Sequence, residues 1–296
     1  MSKKRIRKDI IDGYLFSLPA LIIFALFMIY PLIYGFIISL NQWDGLGEKT
    51  FIGFENYTTL FQDQQFWQAL SHNGIIAVVI VAGKVILGLL IALMLAGKFR
   101  GVTAYRTAYF MPMIMSTVAV GLLWSYIYNF NFGLLNNALR ALGVPNSHLP
   151  TWLGDSSTAL LSVMLVEIWR WVGYHTVIFI AALQGIPNDL YEAALVDGAN
   201  NVQKHWYITI PQLKTSIVLN AILSLISALG TFDLVYVMTD GGPNRATETI
   251  LTYMYKQAFV GDRFGYASAI AYIAFAIIIV FTVFQTLSLI HIFQHG

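Results

Sequence analysis

The chain has 296 residues, 57% of them hydrophobic and only 11% charged, well below the roughly one-quarter charged residues of a soluble domain. It has no cysteine, which excludes disulfide frameworks, thiolate metal sites and cysteine nucleophiles. The net charge is +2, and no basic tract interleaved with aromatics points to nucleic acid as a partner.

The lengths of the apolar runs predict an all-α polytopic membrane protein with six spans. Met1 to Lys8 carries five basic residues and leads into the first run, Tyr14 to Leu40, which is far longer than the core of a signal peptide. Pro31 predicts a kink within it. Asn41 to Gln65 is polar and contains loop and interface residues. The second span is predicted over Asn73 to Ala96, interrupted by Lys84, and a short basic loop, Lys98 to Arg106, follows. The third covers Thr107 to Tyr128, where Trp124, Tyr126 and Tyr128 read as an interfacial aromatic belt. Residues 129–157 are polar, with amphipathic turns at Leu134, Leu135, Ala138, Leu139 and Leu142. The fourth, fifth and sixth spans are predicted over Thr158 to Leu183, Ile217 to Val237 and Tyr266 to Ile292. The chain thus divides into an N-terminal tail, 1–13, a first span with its outer loop, 14–69, and a transmembrane domain, 70–296, carrying a polar loop at 184–214.

Segments 1–13, 98–106 and 184–214 hold ten Lys and Arg, against five in the three alternate segments. The positive-inside rule therefore predicts that both termini and the 184–214 loop are cytoplasmic. Within that loop, Leu190 to Asp197 is predicted as a short helix capped by Asn188 or Asp189. Gly198 makes a turn, Asn200 to Tyr207 is a second helical piece, and Pro211 opens the next span. A passive connector and a rigid element gripped by a partner both fit this pattern.

The order of residues is more specific. Tyr191, Glu192, Ala193, Ala194, Asp197, Gly198, Ala199, Ile208 and Pro211 resemble the cytoplasmic coupling loop of ABC importer permeases, in the form found in the carbohydrate-uptake branch. Val202 and His205 stand where that branch often has an aromatic pair. Gly53-Phe54-Glu55-Asn56-Tyr57 resembles its G-x-x-N-Y element, and Phe132-Gly133-Leu134-Leu135-Asn136 its F-G-x-x-N element. Gly241, Gly242 and Pro243, followed by Ala246-Thr247-Glu248-Thr249, are similar to the outer loop of the maltose-type first permease subunit, which usually has Gly where Asp240 stands. These turn residues alone would suit any turn.

The resemblance implies a second permease subunit, two cytoplasmic ATPase subunits and an extracytoplasmic sugar-binding protein, all assembled around the membrane lipid. ATP and Mg would be bound by the ATPases. The chain itself has no G-x-x-x-x-G-K-[ST] loop, and neither a cofactor nor catalysis is expected of it.

Lys84, Glu167, Arg170 and Asp233 fall within predicted spans, where Lys, Arg or Asp costs about 2.5 to 3.5 kcal/mol at the centre. Mutual neutralisation is the expectation for Lys84 and Arg170. Glu167, Arg170, Trp171 and Tyr174 share one helix face. Asn220, Ser224, Ser227 and Thr231 form a polar stripe on the fifth span, beside the small Ala228. Such a stripe serves either a substrate path or helix–helix adhesion. The resemblance favours a path built from Glu167, Trp171, Tyr174, Ser224, Ala228, Thr231 and Asp233.

The histidines show no ligand spacing; His291 and His295 are four apart but lie at the C-terminal end, so a metal site is not expected. A competing class is an ion-coupled secondary transporter using Lys84, Glu167 and Asp233. A membrane enzyme would need a nucleophile with a base, or a metal set, at recognisable spacing, which the spans lack.

Overall fold

The computed structural model describes the backbone of residues 3–97 and 100–294 and the side chains of 14–97 and 100–283. The basic side chains of 1–13, Lys98 and the pair His291 and His295 lie outside the described residues.

Helix is the form in which an apolar segment satisfies its own backbone in hydrocarbon, and every predicted run adopts it. The first run is α1 (Lys3–Phe24), a π-helical turn at Ala25–Ile29, and α2 (Tyr30–Ser39). Pro31 sits in the first turn of α2, where its missing N–H is tolerated, so the chain widens locally without breaking. A short antiparallel pair, β1 (Asn41–Gln42) and β2 (Thr50–Phe51), precedes α3 (Glu55–Gln62). The second span is α4 (Gln64–Leu95).

The third predicted span is divided into α5 (Val102–Ile114) and α6 (Thr117–Ile127), which meet at 101°. Pro112 lies within the last turn of α5, and extended backbone at Met115 and Ser116 ends the helix there. The amphipathic turns become α7 (Leu134–Ala141), and the fourth span is α8 (Ala159–Gln184). The polar loop holds α9 (Asn188–Val196), α10 (Asn201–Lys204), a π-helical turn at His205–Thr209 and α11 (Ile210–Gln212). Residues 201–212 then bend by 66° into α12 (Lys214–Leu229).

The fifth predicted span ends earlier than expected. Gly230, Thr231 and Phe232 leave helical geometry, and α13 (Asp233–Thr239) starts afresh. The chain finishes with α14 (Ile250–Phe259) and α15 (Phe264–Gln294). Among the described residues, four helical stretches are long and apolar enough to cross a membrane, or up to six if each bent pair is one span.

Two compact units emerge. The first joins Met1–Asp63 to Met254–Ile273. Asn56 of the G-x-x-N-Y element is its staple: the side-chain amide donates to the carbonyls of Ser39 and Asn41 at 2.8 and 3.0 Å, and Tyr57 meets Ser39 hydroxyl to hydroxyl at 2.7 Å.

The second unit comprises Gln64–Tyr253 and Ala274–Gly296. Helix α8 is its centre, with 61% of its apolar window buried against 28% for α4. Helices α4 and α12 pack on one another and on α8 around Ile76, Ile80, Met164, Ile168 and Ala228. Helix α5 crosses α8 at Gly173, where a Cβ would stand 1.9 Å from the Tyr109 carbonyl oxygen, so only glycine permits this approach. Helix α13 packs with α6 and α8 around Val120, Val166 and Val235. Asn136 of the F-G-x-x-N element ties α7 to the loop beyond it: it donates to the carbonyls of Phe130 and Pro150 and accepts from the Trp152 indole at 2.8 Å.

Candidate functional site

The polar loop is self-supporting and outward-facing. Pro187, not Asn188 or Asp189, occupies the N-cap of α9, and no side chain caps the helix. Asp189 lies instead in the first turn, where a carboxylate suits the positive end of the helix. The C-terminus closes as a Schellman motif, with the Gly198 N–H on the Leu195 carbonyl and the Ala199 N–H on the Ala194 carbonyl. Gly198 has φ +78°, and a Cβ there would meet nothing within 4 Å. Its requirement is purely conformational.

Asn200 then builds a capping box with Gln203, each side chain accepting the other's backbone N–H at 2.9 and 2.8 Å. Thr209 is the knot of the segment. Only 1% exposed, its hydroxyl contacts Tyr191 Oη at 3.0 Å and His205 Nδ1 at 3.3 Å, and donates to the Lys204 carbonyl. Nothing in the residue pattern singled out Thr209, because a lone Thr beside Pro211 has no distinguishing spacing.

No residue of α9 is buried. Glu192, Ala193, Asp197 and Pro211 are exposed, while Tyr191, Ala194, Ala199 and Ile208 are half-buried. Leu195, Val196, Val202, Trp206 and Tyr207 are all more than 60% exposed, with Val196 at 88%. An apolar set of this size on a polar segment marks a contact surface.

The second feature is a cavity of about 300 Å³ in the membrane unit. Glu167, Arg170 and Trp171 of α8 line it together with Ser227 of α12, the unwound link Gly230–Phe232, and Asp233. The early end of α12 creates this space. Lys84, fully buried on α4, places Nζ 3.0 Å from Glu167 Oε1 and 3.3 Å from Ser227 Oγ, so one charged triad joins α4, α8 and α12. The ion pair satisfies the expected neutralisation of Lys84.

Arg170 differs. Among the described residues it meets no carboxylate at ion-pair distance; its guanidinium lies 5.3 Å from the Trp171 ring centre, and one Nη is 3.5 Å from the Met115 carbonyl. Asp233 is also placed differently from expectation: it starts α13 and is exposed, outside any span interior.

Of the expected path residues, Glu167, Trp171, Thr231 and Asp233 line the cavity. Tyr174 packs edge-on against Trp171 and His175. Ser224 lies 3.3 Å from His175 Nε2, whose other ring nitrogen is 2.7 Å from Asn220 Oδ1, and Ala228 is wholly within the apolar core. The polar stripe of α12 therefore changes role along its length: Asn220 and Ser224 join α12 to α8, while Ser227 and Thr231 face the cavity. The Gly241-Gly242-Pro243 turn is held by Thr247, which donates to the Gly242 carbonyl at 2.9 Å and contacts the Thr239 hydroxyl.

The family model of binding-protein-dependent transport system inner membrane components matches residues 84–290, a stretch that contains the polar loop at 184–214, the triad and the cavity. The chain belongs to this family. The permease is 40% identical to the probable ABC transporter permease YurN of Bacillus subtilis, over 95% of its own length and 96% of the relative's. It is 35% identical to the trehalose/maltose transport system permease MalF of Thermococcus litoralis, over 92% and 91% of the two chains. Among solved structures it matches, with a TM-score of 0.83 and 25% identity, a chain of a bacterial alginate ABC transporter in complex with an alginate pentasaccharide-bound periplasmic protein, covering 95% of this chain and 94% of that one. The permease is accordingly a multi-pass inner-membrane component of an ABC transporter, as the coupling-loop resemblance implied.

Proposed function

We propose that this permease carries a sugar inward as one of two permease subunits in an ATP-driven, binding-protein-dependent importer. Its coupling loop, Glu192 to Pro211, docks on one of two cytoplasmic ATPase subunits that bind and hydrolyse ATP with Mg. The permease holds no cofactor and performs no chemistry. The observation that carries the reading is the exposed apolar surface of the polar loop: Leu195 and Val196 of α9 and Trp206 and Tyr207 of the π-helical turn stand on a segment held by the α10 capping box and the Thr209 knot, a geometry suited to a protein partner. Glu192, exposed on the same helix, supplies a charge for a basic residue of the ATPase.

The cavity supports the cargo assignment. Trp171 offers a ring for stacking on a pyranose face, and Glu167, Ser227, Thr231 and Asp233 offer acceptors for hydroxyls. Relatives named for trehalose/maltose and for alginate support the same class. In this reading the Gly241-Gly242-Pro243 loop contacts the external binding protein. The ion-coupled alternative is disfavoured because Lys84 and Glu167 occupy one another and Asp233 is exposed.

The test is purification of the permease from its native membrane with identification of what accompanies it. A second permease and an ATPase that dissociates in E192K are expected. Recovery of the chain alone, still transporting under an ion gradient, overturns the reading.

A further inference from the structure

We propose that Arg170 reads an acidic group on the transported carbohydrate, so that the cargo of this permease is an anionic sugar; the inference rests on the sugar-import reading above. Arg170 lines the cavity, its Nε is buried with no acceptor among the described residues, and its Nη contact to the Met115 carbonyl at 3.5 Å is at the limit of a hydrogen bond. Buried donors without acceptors are rare in native proteins.

The other charges of the cavity are accounted for. Glu167 is held by Lys84 at 3.0 Å and by Ser227. Asp233 is exposed in the first turn of α13, where the helix start and water accommodate a carboxylate. Arg170 thus stands on the cavity wall as a guanidinium with no carboxylate at ion-pair distance among the described residues.

A neutral hydroxyl would accept one of those hydrogen bonds but leave the charge uncompensated in a desolvated site. A carboxylate, sulfonate or phosphate ester answers both, and the guanidinium fork matches two of its oxygens at once. Glu167 and Asp233 repel an acidic group and accept hydroxyl hydrogens instead. Together they orient the anionic end of the sugar towards Arg170 and its hydroxyls away from it. Trp171, against which the guanidinium rests, supplies the stacking face between the two.

The test is import by the complete transporter, with its ATPases, second permease and cognate binding protein, in proteoliposomes. A uronate disaccharide and a disaccharide phosphate are each compared with the uncharged parent sugar, and the affinity of the binding protein is measured separately. The wild type is expected to import an acidic member in preference to its parent, and the member imported identifies the anion. R170Q is expected to reduce that import roughly 30-fold or more, with the affinity of the binding protein unchanged; R170K keeps part of the rate with a raised KM.

Import of the neutral parents in preference to the acidic sugars overturns the anionic-cargo inference and leaves sugar import standing, as does R170Q at the wild-type rate. A binding protein that retains no member of a broad glycan array removes both readings. Should R170Q fail to reach the membrane, an unchanged KM for the acidic sugar in R170K overturns the inference.

Discussion

The cavity and the polar loop solve opposite problems. In the membrane unit, polar groups are committed to one another, Lys84 to Glu167 and Ser227 at the cavity and His175 to Asn220 and Ser224 farther along α8 and α12, with Arg170 the exception. In the loop, α9 buries nothing, and its order comes from caps and from the Thr209 knot. Residues of the first region are dictated by partners within the chain. Residues of the second are held by backbone geometry and leave an apolar surface exposed. Substitutions in the two regions should therefore fail in different ways.

The largest effect is expected at the triad. K84M or E167L alone strands a buried charge, at a cost of about 3–5 kcal/mol. Each should lower the thermal aggregation temperature of the purified complex sharply, and the double variant should recover most of the loss. Equal losses in the single and double variants would show that the pair is not the reason these residues are buried.

Next is G173A, which drives a methyl group into the Tyr109 backbone and should cost about 1–3 kcal/mol. Reduced heat stability is the expected readout, since neither helix can yield without parting.

In the loop, G198A meets no neighbour and strains only the left-handed backbone, by about 1–2 kcal/mol. It should insert and fold normally yet lose ATP-coupled import, measured against the ATPase rate of the same preparation. Unaltered coupling would break the contrast drawn between the two regions. The smallest effect belongs to N200A, which removes one arm of the capping box at about 1 kcal/mol. Faster amide exchange confined to residues 201–204 is the signature expected.

Much of this was legible in the residues because hydropathy and turn chemistry are local. The helical runs, the turn at Gly198 and the helical pieces of the polar loop are properties of consecutive residues. The breaks were harder. The third run reads as continuous because Met115 and Ser116 are ordinary in composition, and it is Pro112 upstream and the packing of α6 against α13 that set the 101° bend. The fifth run extends into α13 in sequence, since Leu234 and Val235 are as apolar as any span residue, yet they are buried against α6 and α8.

In the cavity, helix periodicity placed Glu167 and Trp171 correctly on one face. It could not tell which of Ser224, Ser227 and Ala228 would meet α8 and which would meet open space, because adjacent faces of one helix differ only by what stands opposite. The pairing of Lys84 with Glu167 joins residues 83 apart in sequence, and no spacing rule reaches that far.

Helix α12 runs unbroken through 16 residues from Lys214 to Leu229, about 24 Å at the usual rise. Its lower end follows the Thr209 knot, and its upper end unwinds at the cavity wall. The helix is continuous between the 66° corner before Lys214 and the unwound Gly230–Phe232 link, the two breaks in helical geometry that bound it. In the proposed import cycle, how far a shift of α9 reaches the cavity depends on the compliance of that corner. Its buried Leu213, 1% exposed and shared by both arms, becomes the joint on which stroke length depends.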